Sequence, residues 1–407
     1  MRIAYIANDF PNLVESYMFK EIVALRRLGV EVHCYSTKKP PADECPAYLQ
    51  GYLEETKYLR PLKPFLLCKA LWLSIRFAKS LRGVYVRVLF RGTEGLVSRL
   101  KGLSHVVQGL YFSLLLRSQD LVHIHAHHGY FASFGAMIAS LVLKVPYSMT
   151  LHGSDLLVHR FYMDLKLGHC KTCFTISEYN KQFLLHQFPS VPAEKIVVRR
   201  MGVETRRRTD TSQPCERNGT ETFTLLSVGR LETVKNHEFL IEACARLKKM
   251  NVTFLCLIVG HGKEKRSLQR MIERYGLLPE VKLLDIVDRP FVDLFYRLAD
   301  LVVLTSRSEG IPVVLMEAMH SGKIVLAPEI TGIPELVSDG KTGFLYRSGN
   351  LEDFVAKVVR IREMRGRLDA VRQTAREHVV RNFDEAANLE KFTGAFLAML
   401  GLEADSR

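Results

Sequence analysis

Several features that would place the chain in a simple class are missing from its 407 residues. The eight cysteines are scattered without the density of a disulfide scaffold, which favours a reducing compartment such as the cytoplasm. No run approaches the 18 or so uncharged apolar residues that a membrane-spanning helix needs. The apolar run at the N-terminus is too short for a signal peptide and predicts a first strand. The sequence therefore predicts a globular cytoplasmic protein.

Positive charge is abundant but regional. The formal net charge is +14, and the segment 57–117 holds twelve Lys and Arg residues against one acid, Glu94. The only tryptophan, Trp72, lies there, in a stretch whose apolar residues recur at helical spacing between cations. This pattern favours a basic amphipathic helix on an anionic membrane surface; an ordinary solvated helical face is the alternative. Nucleic-acid binding is poorly supported, because the segment is rich in apolar residues and resembles no nucleic-acid module.

Short β-branched runs alternate with amphipathic helical stretches along the chain. This alternation predicts an α/β protein with two doubly wound, Rossmann-like domains, each built on a parallel sheet. We assign residues 1–203 to the first domain, 204–220 to a polar linker, 221–383 to the second domain and 384–407 to a final helix. Ligands of such sheets bind beyond the carboxyl ends of the strands.

Two cations follow the first strand of the second domain. In SVGRLETVKN, Arg230 and Lys235 come directly after Gly229, on the loop that enters a helix. Paired cations at a strand exit, close to a helix N-terminus, suit a diphosphate group. Judged by spacing alone, a pair of solvated surface cations is the favoured explanation.

Two carboxylates stand eight positions apart in SEGIPVVLMEAM. Pro312 suits the first turn of a helix, which leaves Glu309 on the preceding loop and Glu317 one to two turns into the helix. The helical rise then separates the two carboxylates by about 10 Å. That separation is too great for them to share a metal ion, and it favours acceptors for two parts of an elongated ligand.

Histidines follow two strands of the first domain. His152 ends the strand of TLHGSDL, where a structural role and a functional role both remain open. The histidines at 123, 125 and 127 would share one strand face, in line and with no carboxylate placed beside them, so we predict no metal site there. The lone Cys170–Cys173 pair has no second pair to complete a zinc site.

A family likeness rests on these residues together. The order VGR, Lys235, IVGHG and SEGIPVVLMEAMHSGKIVLAPEITGIPELVSDGKTGFL closely resembles the C-terminal half of the group 1 (family 4) retaining glycosyltransferases of the GT-B fold. The first half, with HIHAHHG, TLHGSDL and FTISEYN, resembles the branch that builds exopolysaccharides such as colanic acid. The resemblance implies two Rossmann-like domains that face each other across a cleft and a final helix that crosses back to the first.

The resemblance also implies roles for individual residues. Glu309 would bind hydroxyls of the donor sugar, Glu317 would bind the nucleotide ribose, and Arg230 and Lys235 would bind the donor diphosphate. His152 would reach the donor sugar. The loop residues implied to line the donor are Gly229, Gly310, Ile311, Pro312 and Val313, and those implied on the acceptor side are Glu15, Ser16 and His127.

The implied reaction is metal-independent, retaining transfer of a hexosyl unit from a nucleotide-diphosphate-sugar, with UDP as the expected nucleotide and no other cofactor. The acceptor would be lipid-linked or a saccharide, and the enzyme would lie peripherally on the inner face of the cytoplasmic membrane. The lack of any Asp-X-Asp sequence disfavours a metal-clamped donor. A nucleotide-sugar epimerase and a non-catalytic scaffold of the same fold are the competing hypotheses.

Overall fold

The structure is a computed structural model, and its chain divides into two compact units. The N-terminal unit comprises Met1–Ile176, Asn180–Arg199 and Leu389–Arg407, and the C-terminal unit comprises Ser177–Tyr179 and Arg200–Asn388. The structure describes every residue except 12–15, 42–44, 46, 92–94, 118, 158–160, 207–221, 286–288 and 403–407, and it leaves the side chains at 16, 47, 154 and 289–291 undescribed. Most of the predicted linker, 204–220, lies outside the described residues.

The N-terminal unit is built on a seven-stranded sheet with the order β3-β2-β1-β4-β5-β6-β7. Every neighbouring pair in it is parallel. The apolar runs of the sequence form these strands because both faces of a parallel sheet are covered. The strands are β1 (Arg2–Asp9), β2 (Glu31–Lys38), β3 (Lys57–Tyr58), β4 (His123–His127), β5 (Tyr147–Leu151), β6 (Thr172–Thr175) and β7 (Ile196–Val198).

Helices cover both faces of this sheet. The first helix ends two residues before Gly29, whose positive φ of 80° is the left-handed conformation that favours glycine. The helices are α1 (Ser16–Arg27), α2 (Gln50–Glu55), α3 (Pro64–Arg76), α4 (Arg82–Leu89), α5 (Leu96–Leu116), α6 (Phe131–Leu143), α7 (Ser154–Leu157), α8 (Met163–His169) and α9 (Glu178–Gln187). On one face lie α3 to α6, and on the other lies α1.

The C-terminal unit has a six-stranded sheet with the order β10-β9-β8-β11-β12-β13, again parallel at every pairing. Two doubly wound parallel sheets are therefore present, which confirms the predicted fold class. The strands are β8 (Phe223–Val228), β9 (Phe254–Val259), β10 (Val281–Leu284), β11 (Leu301–Val303), β12 (Ile324–Pro328) and β13 (Phe344–Tyr346).

Helices of the C-terminal unit also pack on both sheet faces, around two buried clusters. The side chain of Asn350 begins one of them by accepting a hydrogen bond from the backbone N–H of Asp353 at 2.9 Å. The helices are α10 (His237–Lys249), α11 (Lys265–Arg274), α12 (Arg289–Leu298), α13 (Val313–His320), α14 (Ile333–Leu336), α15 (Leu351–Glu363) and α16 (Asp369–Asn382).

The last helix, α17 (Glu385–Leu400), begins in residues of the C-terminal unit, and from Leu389 onward it belongs to the N-terminal unit. Its Phe392 and Phe396 are buried beside Phe174 of β6 and close the sheet face that α1 also covers. This apolar contact holds the end of the chain on the N-terminal sheet.

The basic segment forms three helices instead of one amphipathic stretch. Helix α3 ends at Arg76, a turn covers 77–81, and α4 starts at Arg82. Leu81 in that turn is fully buried, so the chain changes direction to place it in the core. Within the described part of the chain, no helix is both long and apolar enough to cross a bilayer.

Candidate active site

The carboxyl ends of β8 and β11 in the C-terminal unit bring a lysine and a glutamate together. Lys235 Nζ donates a hydrogen bond to Glu309 Oε1 at 2.6 Å, and Ser306 Oγ donates to the same oxygen at 2.5 Å. The two charged side chains are only 19% and 12% exposed. Thr305 Oγ1 also donates to the Lys235 carbonyl at 3.0 Å, which fixes the two loops against each other. The sequence predicted both residues for the site but not their direct pairing.

Glycines allow the loops at this edge to approach closely. A β-carbon on Gly260 would lie 1.8 Å from the Gly229 carbonyl oxygen, and one on Gly332 would lie 2.3 Å from the Gly310 oxygen. Both contacts are impossible for a larger residue. The stem of Lys235 passes over Gly229, with Cδ and Cε 3.8 Å from the position of a β-carbon there. These approaches set the loops around Lys235 and Glu309.

Helix α13 carries the second carboxylate. Tyr296 Oη donates to Glu317 Oε2 at 3.1 Å, which orients the Glu317 side chain from α12. Pro312 was expected in the first turn, whereas it occupies the capping position just before the helix, with φ −76° and ψ 115°. That extended conformation suits proline and directs the chain from Glu309 into the helix. The first turn of α13 therefore begins four residues after Glu309.

Arg230 occupies the loop after β8. Its Nη1 lies 3.2 Å from Glu232 Oε1, and 53% of its side chain is exposed. An exposed ion pair of this kind is weak, so the guanidinium can exchange its partner at little energetic cost. The structure thus places Arg230 on the loop that leads to Lys235.

A second polar cluster lies in the N-terminal unit, where β4 and β5 end. His127 Nε2 lies 2.9 Å from Glu21 Oε2, and His127 Nδ1 lies 3.3 Å from His152 Nε2. Tyr5 Oη donates to the same Glu21 oxygen at 3.1 Å. The expectation that no carboxylate lies beside these histidines is therefore wrong. Helix α1 supplies Glu21, which is 106 positions away from His127 in the sequence.

Burial sets the protonation of this cluster. It raises the pKa of Glu21 to about 8, against a smaller opposing effect of the Tyr5 hydroxyl. It also lowers the pKa of His152 well below its ordinary value, and the neighbouring His128 and His127 add to that effect while Asp155 opposes it. The histidine is therefore neutral at physiological pH.

Glu21, His125 and His127 also form a group with metal-binding potential, because their ligand atoms all lie within 4.8 Å of one another. The nitrogens of His125 already have partners, however: Nδ1 lies 2.8 Å from Ser148 Oγ, and Nε2 lies 3.1 Å from Thr150 Oγ1. His123 Nε2 contacts the same Ser148 hydroxyl at 2.8 Å. Burial lowers the pKa of His123 and of His125, so these two histidines are neutral and form a hydrogen-bonded ladder with Ser148 and Thr150.

Asp155 lies beside the same cluster, although no motif of the sequence pointed to it. Its carboxylate accepts the backbone N–H groups of Gly129 at 2.8 Å, His152 at 3.1 Å and Gly153 at 2.7 Å. Burial alone would raise the Asp155 pKa, but the hydrogen bond with His128 and the nearby charges hold that pKa well below its ordinary range. Asp155 therefore ties together the two loops that follow β4 and β5.

The remaining predicted residues fall at the edge of what is described. Glu15 lies outside the described residues, and Ser16 begins α1 with its side chain undescribed. Cys170 and Cys173 are both buried and free. Burial raises the pKa of the Cys170 thiol to about 12, which suits a packing role.

Comparison with known proteins supplies the family. Residues 14–207 match the model described as Glycosyltransferase Family 4, and residues 209–378 match the one described as Glycosyl transferases group 1. The chain is 35% identical over 203 residues to the putative colanic acid biosynthesis glycosyltransferase WcaL of Salmonella typhimurium, covering 48% of this chain and 49% of the relative. It is 33% identical over 205 residues to the amylovoran biosynthesis glycosyltransferase AmsK of Erwinia amylovora, covering 48% of each chain.

The chain thus spans about half the length of the curated relatives that it matches. Among solved structures, Anabaena HepE in complex with UDP and glucose is similar in fold, with a TM-score of 0.70, 17% identity, and coverage of 98% of this chain and 100% of that one. Two family models follow one another along almost the whole sequence, and the fold agrees with both. The chain belongs to the group 1, family 4 glycosyltransferases of the GT-B fold.

Proposed function

We propose that the protein is a retaining glycosyltransferase that moves a hexosyl unit from a nucleotide-diphosphate-sugar to a lipid-linked or saccharide acceptor. The names of the relatives WcaL and AmsK assign those proteins to colanic acid and amylovoran biosynthesis, which supports a role in exopolysaccharide synthesis here. The observation that carries the proposal is the Lys235–Glu309 pair at the carboxyl end of a parallel sheet. That pair sets a cation for phosphate beside an acceptor for sugar hydroxyls.

In this proposal the C-terminal unit binds the donor. A lysine ammonium has three N–H donors, and Lys235 directs one of them to Glu309, so others can meet phosphate oxygens. Arg230 adds a second cation once it leaves Glu232. The N-terminus of α13, with the backbone N–H groups of Ile311 and Val313, favours negative charge as well. These groups supply the neutralisation that a metal ion provides in other enzymes.

The sugar and the ribose take the two carboxylates. Glu309 accepts hydroxyls of the transferred sugar, and Ser306 and Lys235 hold its carboxylate in place. Glu317 accepts the ribose hydroxyls, oriented by Tyr296. Gly310 and Gly332 keep the intervening loop close enough for backbone amides to line the donor.

The chemistry needs no protein nucleophile. The bond between the anomeric carbon and the phosphate oxygen breaks while a bond to the acceptor oxygen forms on the same face, and the acceptor proton passes to the departing phosphate oxygen. Negative charge grows on the diphosphate during this step. Lys235 and Arg230 stabilise that charge, so catalysis rests on positioning and electrostatics. We assign His152 to the transferred sugar and His127, Glu15 and Ser16 to the acceptor side.

The second part of the proposal is that the basic segment 57–117 binds the anionic inner surface of the cytoplasmic membrane. Large apolar side chains are exposed along α3 to α5 beside the cations of the segment. Arg76 lies 5.6 Å from the ring centre of Trp72, and Lys69 lies 4.3 Å from that of Phe65. The exposed apolar side chains are Phe65, Leu71, Trp72, Ile75, Leu89, Phe90, Leu96, Val97 and Leu100. Amphipathic surfaces of this composition insert at the headgroup level of anionic bilayers.

Vesicle co-sedimentation tests the membrane element. Replacing Trp72 and Ile75, which are 58% and 79% exposed, by serine removes apolar surface without disturbing the core. We expect binding to vesicles containing phosphatidylglycerol to fall at least about tenfold. Leu278→Ser, at a 50% exposed position in the C-terminal unit, is the matched control and should bind as the wild type does. Equal binding by the double variant, or equal binding to uncharged vesicles, contradicts this element.

A thermal-shift screen with product analysis tests the main proposal. Nucleoside diphosphates and their sugars are added to the protein, beginning with UDP-sugars because HepE was solved with UDP and glucose. The true donor should raise the melting temperature, because it binds the folded state only. Radiolabel should then pass to an acceptor with retained anomeric configuration. Formation of an epimerised sugar in the absence of an acceptor would favour the epimerase hypothesis over sugar transfer. Failure to bind any nucleotide-sugar would favour the hypothesis of a non-catalytic scaffold.

A further inference from the structure

The buried carboxylate of Glu21 lies at the start of a series of hydrogen bonds. Glu21 is only 9% exposed, and a buried carboxyl group is unfavourable without polar partners. Glu21 contacts the Tyr5 hydroxyl, from the middle of β1, and the His127 ring, at the end of β4. His127 in turn contacts His152, the residue assigned above to the transferred sugar.

We propose that Glu21 is a positioning residue that acts through His127 to fix the orientation and the protonated nitrogen of His152. The inference rests on the proposed function for the identity of the substrate, but its geometry is independent of that proposal. The rings of His127 and His152 are stacked, with centroids 5.5 Å apart and planes 23° apart. Tyr17 holds the His152 ring from another side, with ring centroids 4.4 Å apart.

The position of the proton on one ring sets its position on the next ring, because a neutral imidazole has one donor nitrogen and one acceptor nitrogen. When Glu21 carries a proton, it donates to His127 Nε2; His127 then donates from Nδ1 to His152 Nε2. His152 must then hold its own proton on Nδ1. The pKa of Glu21, raised by burial to about 8, supports this form at neutral pH.

The far end of the chain points to a ligand. His152 Nδ1 is buried and has no hydrogen-bonding partner among the described residues. A buried N–H group without a hydrogen-bond acceptor is unfavourable. A substrate atom that accepts a hydrogen bond from His152 Nδ1 would remove this cost. A sugar or phosphate oxygen is the chemistry that an N–H donor selects.

Loss of the Glu21 proton reverses the direction of each hydrogen bond between Glu21, His127 and His152. The carboxylate then accepts from His127 Nε2–H, His127 Nδ1 accepts from His152, and His152 Nδ1 becomes an acceptor that no longer suits the same oxygen. Among the described residues, the titratable groups that face Glu21 and His127 are those of Tyr5 on β1, Tyr17 on α1, His125 on β4, His128 just after β4 and, after β5, His152. From α17, the residue that packs against Tyr5 is Phe396, which is apolar and does not titrate.

Two variants of the whole protein test this hydrogen-bonded relay from Glu21 through His127 to His152. Glu21→Gln keeps the size of the side chain, and its amide N–H can donate to His127 at any pH, so it should retain kcat/KM within about threefold at pH 7. Wild-type kcat/KM should fall about tenfold as the pH rises above 8, whereas the Gln variant should not show that fall. Glu21→Leu should lose about 10²-fold in kcat/KM because the His152 ring is no longer held.

Controls separate positioning from folding. Ser148→Ala breaks the hydrogen bonds to His123 and His125 in the same buried layer but leaves Glu21, His127 and His152 paired. It should keep its kcat/KM and its wild-type pH profile. Nucleotide-diphosphate binding should be unchanged in every one of these variants, since that binding belongs to the C-terminal unit.

Nitrogen-15 NMR of the histidine rings reads the relay without any turnover. We expect His152 to be protonated on Nδ1 in the wild type and in Glu21→Gln at pH 7, and to lose that preference in Glu21→Leu. Identical His152 ring signals in a folded Glu21→Leu variant, or undiminished kcat/KM in it, overturns the inference. A wild-type protein that binds no nucleotide-sugar overturns the proposed function instead, and leaves the NMR result to decide the relay.

Discussion

Replacing Lys235 by alanine removes the cation at the carboxyl end of the C-terminal sheet. The ammonium contacts Glu309 Oε1 at 2.6 Å, and the two side chains are 19% and 12% exposed. After the change Glu309 keeps the Ser306 hydrogen bond but loses its counter-charge. The exposure of this ion pair is intermediate between that of surface pairs and that of buried pairs. We therefore expect the free energy of unfolding to fall by about 1 to 2 kcal/mol.

The effect on catalysis should be much larger. Removing one preorganised donor that faces developing negative charge costs on the order of 10² to 10³ in kcat, about 2.7 to 4 kcal/mol. The assay is transfer of a radiolabelled sugar at saturating donor, at a temperature well below the melting transition of the variant. Arg230→Ala should give a loss of the same order, because both cations meet the same diphosphate.

Lys265→Ala is the matched control for Lys235→Ala. Lys265 Nζ contacts both Asp285 carboxylate oxygens, at 2.5 and 2.6 Å, in the same unit, but this pair is 38% and 62% exposed. Its loss should change kcat by less than about twofold and stability by less than about 1 kcal/mol. If Lys235→Ala and Arg230→Ala both transferred sugar as fast as this control, electrostatic stabilisation of the leaving diphosphate would be refuted.

Two further predictions concern acid stability and loop geometry. Burial lowers the pKa of His123 to about 3, so the unfolded chain takes up a proton below pH 6.5 that the folded chain refuses, and stability present above pH 6.5 is lost as the pH falls. His123→Gln should therefore reduce the fall in unfolding free energy between pH 6.5 and 4.5 by about 2 kcal/mol in urea titrations, and an unchanged fall would contradict that account. Gly332→Ala places a β-carbon 2.3 Å from the Gly310 oxygen, so it should abolish the thermal shift that the donor produces. Gly366→Ala, with nothing within 4 Å of the new carbon, should retain that shift, and donor binding by both variants would show that the loop geometry is not needed.

The fold, and the gathering of candidate residues at one edge of the C-terminal sheet, could be predicted because both depend on local pattern. Apolar runs of strand length, separated by helical periods, specify a parallel sheet, and residues just after such strands must gather at one edge. Arg230, Lys235 and Glu309 were placed at this edge in this way, and their roles in donor binding stay predictions. The turn at 77–81 could not be foreseen, because the helical spacing of apolar residues continues through it and only the tertiary burial of Leu81 breaks the helix.

Contacts between distant residues were the part that sequence could not supply. Glu21 and His127 are 106 positions apart, and Lys235 and Glu309 are 74 positions apart. No local pattern records that α1 turns one carboxylate toward the end of β4. The same holds for Asp155, whose contacts are with backbone N–H groups, which every residue except proline possesses. A polar residue on an otherwise apolar helix face, as Glu21 is on α1, is the one signal that would have drawn attention to it.

A crystal structure of the protein with its nucleotide-diphosphate-sugar is the most direct test of the central claim. The account predicts diphosphate oxygens about 3 Å from Lys235 and Arg230, with the sugar on Glu309 and the ribose on Glu317. A diphosphate bound away from the carboxyl ends of β8 and β11 would contradict it, as would a Glu309 carboxylate turned away from the sugar.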